Sequence, residues 1–214
     1  MMFKGTPRYA AGKFATTVAA HGGRQNAFTS NDYTAYYEEW SADNVELSFD
    51  LEADRMRNLV IDEDTFKKEI NVVLEERRLR TDDSPQSLAV EASQAVAYMT
   101  SPYRYPVIGW EADIKNMSAA DLRAWYQRWY GPNNAIVVVV GDVEPDAVHT
   151  LAKKYFGPLA KSDIAPPKDR PEVAQNGTKR VTLNSSKARV PYLVMGYKAP
   201  TLAQAVRGEG VEEW

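Results

Sequence analysis

Two glutamates seven positions apart are the residues of this 214-residue sequence best suited to chemistry. Glu69 and Glu76 lie in the segment 65–78, whose apolar residues repeat with helical spacing. The apolar stripe consists of Phe66, Ile70 and Val73. At about 100° per residue, both carboxylates fall at the edge of this stripe, about 20° apart in direction and about 10 Å apart along the helix axis. The same geometry predicts that Glu75 points into solvent.

Carboxylates at the border of a buried face need a cationic partner, which is either a basic side chain or a metal ion. Taken alone, the spacing of Glu69 and Glu76 favours the first alternative, ion pairs with Arg or Lys of a neighbouring helix. Neither histidine of the sequence changes this balance. His21 lies in a Gly-rich turn and His149 in a helix, and neither has a Glu-His partner at metal-ligand spacing, so we expect both to be surface or hydrogen-bonded polar residues.

The helices and strands predicted around the two glutamates indicate an α+β fold. In this fold a mixed, mostly antiparallel sheet packs against several helices. Periodicity and capping residues predict helices over residues 13–20, from 41 or 43 to 59, 64–80, 85–99, 118–130 and 145–156. Alternation and β-branched runs predict strands over residues 25–30, 33–38, 135–140, 179–184 and 191–198. Ser84 and the pair Ser118–Asp121 are predicted helix caps. The apolar run 135–140 predicts a strand covered on both faces.

Composition excludes several classes of function. The net charge of −3, from 26 basic and 29 acidic residues, gives no basic excess that would favour a nucleic-acid partner. The absence of cysteine excludes disulfides and thiolate metal sites. The longest apolar run has six residues, 135–140, far fewer than the roughly 20 that a membrane span requires. These features leave the compartment open, with the bacterial periplasm or cytoplasm favoured over mitochondria.

Several segments, in order along the chain, resemble one family of enzymes. The segment 2–6 (MFKGT) resembles the stretch that follows the inverted zinc motif H-x-x-E-H, and 69–76 (EINVVLEE) the helix that bears a distal zinc-ligand glutamate. The remaining matches are GGRQNAFTS (22–30) with DYTAYY (32–37), LEADRM (51–56) and SPYRYPVIG (101–109). Together they resemble the amino-terminal catalytic domain of the pitrilysin/insulinase-type zinc metallopeptidases, from residue 1 to about 201. In the last segment, Ser101 stands where the family usually has His.

The resemblance implies roles for particular residues. Glu76 corresponds to the zinc-ligand glutamate and Glu69 to a partner that orients a ligand. Asn26, Ala27 and Phe28 correspond to the edge strand along which family members bind an extended peptide by β-augmentation. Without the resemblance, this strand is predicted to be an ordinary sheet edge with Phe28 in the core. Zinc is the implied cofactor and a peptide the implied substrate.

The sequence departs from the family because no H-x-x-E-H occurs in it. By the register of residues 1–6, the two His ligands and the catalytic Glu are expected just before residue 1. We therefore expect the chain as written not to bind zinc tightly and to be inactive as a peptidase. We predict one domain over residues 1–200 and a tail over 201–214 that begins a linker to a second homologous domain, which family members supply in the same chain or in a homo- or heterodimer.

Two alternatives remain open. The chain is either a peptidase domain or a non-catalytic, peptide-binding scaffold subunit of a peptidase pair. Retention of both Glu69 and Glu76 argues against the scaffold. A generic α+β binding domain unrelated to peptidases requires every ordered match to be a coincidence.

Overall fold

The computed structural model describes residues 1–165, 168, 170–202 and 206. Within these residues the fold is helix-rich with one antiparallel pair of strands, which confirms the predicted α+β class. The elements are α1 (Lys13–Ala20), β1 (Arg24–Thr29), β2 (Thr34–Glu39), α2 (Val45–Asn58), α3 (Glu63–Arg77), α4 (Pro85–Ala97), α5 (Glu111–Asn116), α6 (Ala119–Trp129) and α7 (Pro145–Tyr155). A π-helical turn, Arg78–Asp82, continues α3. No helix in this part of the chain is both long and apolar enough to cross a bilayer.

Side-chain caps fix where the helices begin. Ser84 accepts a hydrogen bond from the amide of Ser87 (3.2 Å) and starts α4, as predicted. Ser118 and Asp121 form the predicted capping box at the start of α6, each side chain bonding the other residue's backbone amide. These caps satisfy amide groups that a helix leaves without internal partners.

The core is built around α2. Leu51 of α2 is fully buried against Phe14 and Val18 of α1. At its carboxyl end α2 is held by the hydroxyl of Tyr126 in α6, which donates to the carbonyl of Arg55 (2.8 Å) and accepts from the amide of Leu59 (3.0 Å). Burial raises the pKa of Tyr126 to about 12, so this hydroxyl remains a donor at neutral pH. Helices α1 and α6 therefore pack against opposite parts of α2.

A second set of contacts fixes the amino-terminal segment to α2. The carboxylate of Asp54, whose side chain is 1% exposed, accepts hydrogen bonds from the hydroxyl of Thr6 and from the side-chain amide of Asn58 (2.8 Å). Gly5 has φ +110°, and a Cβ there would lie 2.6 Å from the backbone nitrogen of Ala11, so only glycine fits. The start of the chain is thereby held against the buried side of α2.

Three predicted strands are wrong in the structure. Residues 135–140, predicted to be covered on both faces, form no hydrogen-bonded strand, and Ile136 and Val140 are 91% and 92% exposed. Residues 179–184 and 191–198 also form no strand, and Tyr197 is 85% exposed. The physical reason is that a strand requires a neighbour to pair its backbone groups, and the described residues provide none for these segments. The sheet is therefore smaller than predicted and consists of β1 and β2 alone in this part of the chain.

The predicted loop over residues 165–177 has neither helix nor strand where it is described. The predicted tail lies outside the described residues except at residues 201, 202 and 206.

The buried carboxylate of Asp54 generates a stability prediction. We expect Thr6→Val to lower the free energy of unfolding by about 1–3 kcal/mol, because it removes a hydrogen bond from a buried charged group. Thr16 of α1 is exposed, and its hydroxyl donates to the carbonyl of Lys13 (3.1 Å), so Thr16→Val should change stability by less than about 0.5 kcal/mol. Urea unfolding followed by circular dichroism measures both, and equal effects of the two variants would contradict this account.

Candidate functional site

An open cavity of about 1190 Å³ lies between β1, α3, α4 and the loop 104–108. Asn26, Ala27 and Phe28 of β1 line it, as do Glu69 and Glu76 of α3. The amino-terminal residues 1–3 line it as well. The structure thus brings all five residues singled out in the sequence to one site, next to the start of the chain.

Glu69 lies close to two cations. Its carboxylate accepts a hydrogen bond from the amino-terminal ammonium of Met1 (3.2 Å) and pairs with Nζ of Lys4 (2.9 Å). Burial raises the pKa of the Glu69 carboxyl, but Lys4 and the amino terminus outweigh it, so that the pKa is lowered overall. Glu69 is therefore an ionised, partly buried acceptor that holds the first residues of the chain against α3.

Glu76 is more open to the cavity, with its side chain 40% exposed. Its carboxylate pairs with Arg80 (2.7 Å), which lies on the π-helical turn that continues α3. The ion-pair alternative raised from the sequence is therefore what the structure contains, although the partner is on the same helix rather than on a neighbouring one. Glu75 pairs with Arg78 and is 55% exposed, which confirms the predicted outward direction.

Strand β1 has a free edge on the side away from β2. The register pairs Ala27 with Tyr36, and no other strand pairs with β1 among the described residues. The amide of Ala27 donates to Oδ1 of Asn26 (2.8 Å). Amide groups of a strand alternate between its two sides, and this side-chain bond indicates that the amide of Ala27 faces the free edge.

Phe28 also faces the cavity rather than the core. Its side chain is 49% exposed, and its ring makes an edge-to-face contact with Tyr33, with the centroids 5.6 Å apart. The alternative in which Phe28 belongs to the core is therefore wrong. An exposed aromatic ring beside a free strand edge can contact the side chain of a bound peptide.

A buried arginine positions the strand pair that carries this edge. The guanidinium of Arg55, in α2, lies over three aromatic rings, 4.5 Å from the ring centroid of Tyr36, 4.7 Å from Phe14 and 4.9 Å from Phe3. Its Nε donates to Glu52 (2.8 Å). Arg55 thus connects α2 with β2, α1 and the amino-terminal segment. No sequence pattern singled out Arg55, although it lies four residues after Leu51, on the buried stripe of α2.

The carboxyl of Glu38 in β2 lies beside this arginine. Oε1 of Glu38 is 4.0 Å from Nη2 of Arg55, and its side chain is 7% exposed. Burial raises the pKa of the Glu38 carboxyl well above its ordinary value, and neighbouring Glu52 raises it further by hydrogen bonding and repulsion. Arg55 and the hydroxyl of Ser48, which donates to Glu38 (3.1 Å), lower this pKa but do not outweigh burial, so the folded state favours the protonated carboxyl.

A second buried arginine positions the cavity walls that face β1, which are formed by α3, α4 and the loop 104–108. Arg77, at the end of α3, makes two hydrogen bonds of 2.8 Å with Glu91 of α4 and one of 2.8 Å with the carbonyl of Gly109. This arginine was also missed, although it continues the stripe of Ile70 and Val73 at helical spacing.

The described residues do not complete a zinc site. No group of three or more His, Cys, Asp or Glu in this part of the chain is placed to hold a metal ion. Glu69 and Glu76 supply carboxylates to the cavity, whereas a catalytic zinc needs three protein ligands. Nδ1 of His21 contacts the carbonyl of Thr17 (2.8 Å) within its own turn.

The chain belongs to the insulinase (peptidase M16) family. The model of that family matches residues 1–110, and the model described as the peptidase M16 inactive domain matches residues 116–208. The chain is 35% identical to the zinc protease PqqE of Helicobacter pylori over 99% of its own length and 50% of that protein. It therefore spans about half of this relative.

Solved structures agree with this assignment. A protease from Helicobacter pylori superposes with a TM-score of 0.76 at 39% identity, over 80% of this chain and 42% of that one. The first half of the periplasmic protease PqqL from Escherichia coli superposes with a TM-score of 0.72 at 25% identity, over 81% of this chain and 38% of that one. These matches confirm the resemblance to the pitrilysin/insulinase family.

The neutral carboxyl of Glu38 generates a pH prediction. In the unfolded chain Glu38 ionises at its ordinary pKa, whereas the folded state favours the protonated form, so stability falls as pH rises between these two values. Glu38→Gln removes this dependence, and we expect it to be more stable than the parent by about 1 kcal/mol or more at pH 8, since one pKa unit corresponds to 1.36 kcal/mol. The advantage should disappear near pH 4.

Thermal or urea unfolding from pH 4 to 9 measures this difference. Glu39→Gln is the matched control, because Glu39 is 51% exposed and pairs with Arg24 across the strands. A stability advantage of Glu38→Gln that does not grow with pH would contradict the assignment.

Proposed function

We propose that this chain is part of a zinc metalloendopeptidase that hydrolyses peptide bonds of extended peptides. Its contribution is the wall that binds the substrate and one carboxylate ligand of the metal. The observation that supports this most directly is that the free edge of β1 and the carboxylates of Glu69 and Glu76 line the same cavity. Membership of a family whose relatives include zinc proteases points the same way.

Strand β1 supplies the binding surface. A peptide added to its free edge would accept a hydrogen bond from the amide of Ala27, which Asn26 now satisfies, while Phe28 contacts a substrate side chain. Backbone hydrogen bonds hold such a peptide whatever its sequence, and the side-chain contacts select among sequences.

Glu76 is the proposed zinc ligand, and Glu69 is proposed to orient a ligand. When bound, zinc in such a site activates a water molecule for attack on a peptide carbonyl. Because the residues present here do not complete that site, we propose that the 214-residue chain alone does not hydrolyse peptides. A segment bearing H-x-x-E-H and a second homologous domain or subunit would complete the enzyme.

A second candidate is a non-catalytic subunit that binds peptides along β1. The match of residues 116–208 to the inactive-domain model favours it. So does the pairing of Glu76 with Arg80, which neutralises the carboxylate without a metal ion. The two candidates share the peptide-binding edge and differ in whether Glu76 ever binds zinc.

The peptide-binding edge is tested by Ala27→Pro. Proline removes the amide that faces the free edge, and edge strands tolerate it. We expect binding of an extended fluorescent peptide to weaken at least about five-fold, the equivalent of one hydrogen bond of about 1 kcal/mol. Ala27→Ser, which keeps the amide, should bind like the parent.

Fluorescence polarisation with the 214-residue chain measures both variants. Equal affinities for the parent, Ala27→Pro and Ala27→Ser would rule out binding along this edge.

The role of Glu76 is tested in a longer protein in which a segment bearing H-x-x-E-H is joined in frame before Met1. That protein should bind zinc and cleave unfolded peptides in a chelator-sensitive manner. Glu76→Gln should weaken zinc binding by more than about ten-fold, since even losing a residue that supports a ligand costs that much. Glu75→Gln is the matched control on the exposed face of the same helix.

Zinc content by mass spectrometry after dialysis is the readout. Zinc binding by Glu76→Gln equal to that of the Glu75→Gln control, or no zinc in the longer protein, would favour the non-catalytic subunit.

A further inference from the structure

Among the described residues, the charged side chains that line the cavity are paired with one exception. The carboxylate of Glu69 pairs with Lys4 (2.9 Å), and that of Glu76 with Arg80 (2.7 Å). The third carboxylate, Glu91, pairs with Arg77 (2.8 Å). Each of these three carboxylates, which are those that line the cavity in the described part of the chain, is thus neutralised by a cation of the chain itself.

Arg104 is the exception. It lines the same cavity and is exposed, and no carboxylate lies within 4.0 Å of its guanidinium among the residues the structure describes. Its Nη1 donates a hydrogen bond to the carbonyl of Met99 (3.1 Å), and its guanidinium lies over the ring of Tyr105, 5.9 Å from the centroid. The remaining N–H groups of this guanidinium are available to an acceptor from outside the chain.

The loop that carries Arg104 is fixed in place by three groups. The carbonyl of Tyr103 accepts a hydrogen bond from Nε2 of Gln94 in α4 (2.7 Å). The phenol hydroxyl of Tyr103 donates to the carboxylate of Asp32 (2.7 Å). The carboxylate of Glu172 accepts from the amide of Ser101 (2.9 Å). Because these contacts hold the loop, a ligand that binds Arg104 has to order the arginine side chain but not the loop.

The same contacts place Arg104 relative to β1. Asp32 lies in the turn that directly follows β1, and Tyr103, which bonds it, precedes Arg104 in the chain. The segment that carries Arg104 therefore lies beside the turn after β1, and Arg104 lines the same cavity as Ala27 and Phe28. A peptide paired with the free edge passes through this cavity.

We propose that Arg104 is a specificity residue that binds a carboxylate of the peptide paired with β1, so that the site selects peptides with an acidic residue at that position. This inference rests on the proposed peptide-binding function. Arginine suits the role because its planar guanidinium binds carboxylates through two parallel hydrogen bonds and stays charged at every physiological pH. The carboxylate can come from an Asp or Glu side chain or from a peptide's carboxyl terminus.

The test uses fluorescence polarisation with the 214-residue chain and labelled ten-residue peptides. The peptides have the same uncharged sequence and differ at one position, which holds Glu, Gln or Lys. This position is moved along the sequence in successive peptides. Each peptide is made with a free and with an amidated carboxyl terminus. We expect the amidated Glu peptide, at its best position, to bind about five-fold more tightly than its Gln counterpart, which is the range of a partly exposed ion pair. High salt should reduce this ratio.

Variants of Arg104 show whether this residue causes the preference for the Glu peptide. Arg104→Gln should bring the Glu/Gln affinity ratio to about one, Arg104→Lys should keep part of it, and Arg104→Glu should favour the Lys peptide. Arg128→Gln is the matched control, because Arg128 is also exposed, has no carboxylate within 4.0 Å among the described residues, and does not line the cavity.

The outcomes separate the two proposals. If neutral peptides bind and Ala27→Pro weakens them, but Glu and Gln peptides bind equally or the ratio survives in Arg104→Gln, the specificity role is overturned and the peptide-binding function stands. A preference that appears only with a free carboxyl terminus also overturns the side-chain selectivity. If no peptide binds, both proposals fail.

Discussion

The burial of one permanent charge is the constraint on which this structure depends. Arg55 is only 2% exposed, and its guanidinium stays protonated at physiological pH. The protein must therefore surround this side chain with groups that stabilise a cation. Those groups are Glu52 on its own helix and the rings of Phe3, Phe14 and Tyr36. Because the three rings come from the amino-terminal segment, α1 and β2, one side chain determines how three elements meet on α2. Burying the arginine without these partners would cost a large desolvation free energy, which disfavours arrangements in which the three elements do not meet on α2.

Arg77 does the same for the other side of the cavity, by joining α3 to α4 and to the backbone at Gly109. The two arginines are buried in different walls, one behind the strand pair and one behind the carboxylates. The positions of β1 and Glu76 are consequently set by these two buried arginines, whose partners Phe3, Tyr36 and Glu91 also line the cavity.

The helices and the strand pair could be predicted because their signals are local. Ser84 and the Ser118–Asp121 pair mark helix starts by hydrogen bonds to amides within three residues, and helical periodicity alone places Glu69 and Glu76 on one face. The segment 135–140 could not be predicted, because an apolar β-branched run shows only that a segment can pair, and the described residues offer no partner. That the strand and the glutamates line the same cavity followed from the family resemblance and not from any local pattern. Arg55 and Arg77 were missed because charged residues on an apolar stripe are usually assigned to its border.

The bond between the Asn26 side chain and the Ala27 amide has a consequence for the isolated protein. An uncovered strand edge invites the same edge of another molecule, which is how sheets grow into aggregates. Here a short side chain satisfies the outward amide from within the strand, so a passing chain gains no hydrogen bond there until it displaces Asn26. The edge is thus protected against indiscriminate pairing, and only a segment whose further contacts compensate for that exchange will remain on it.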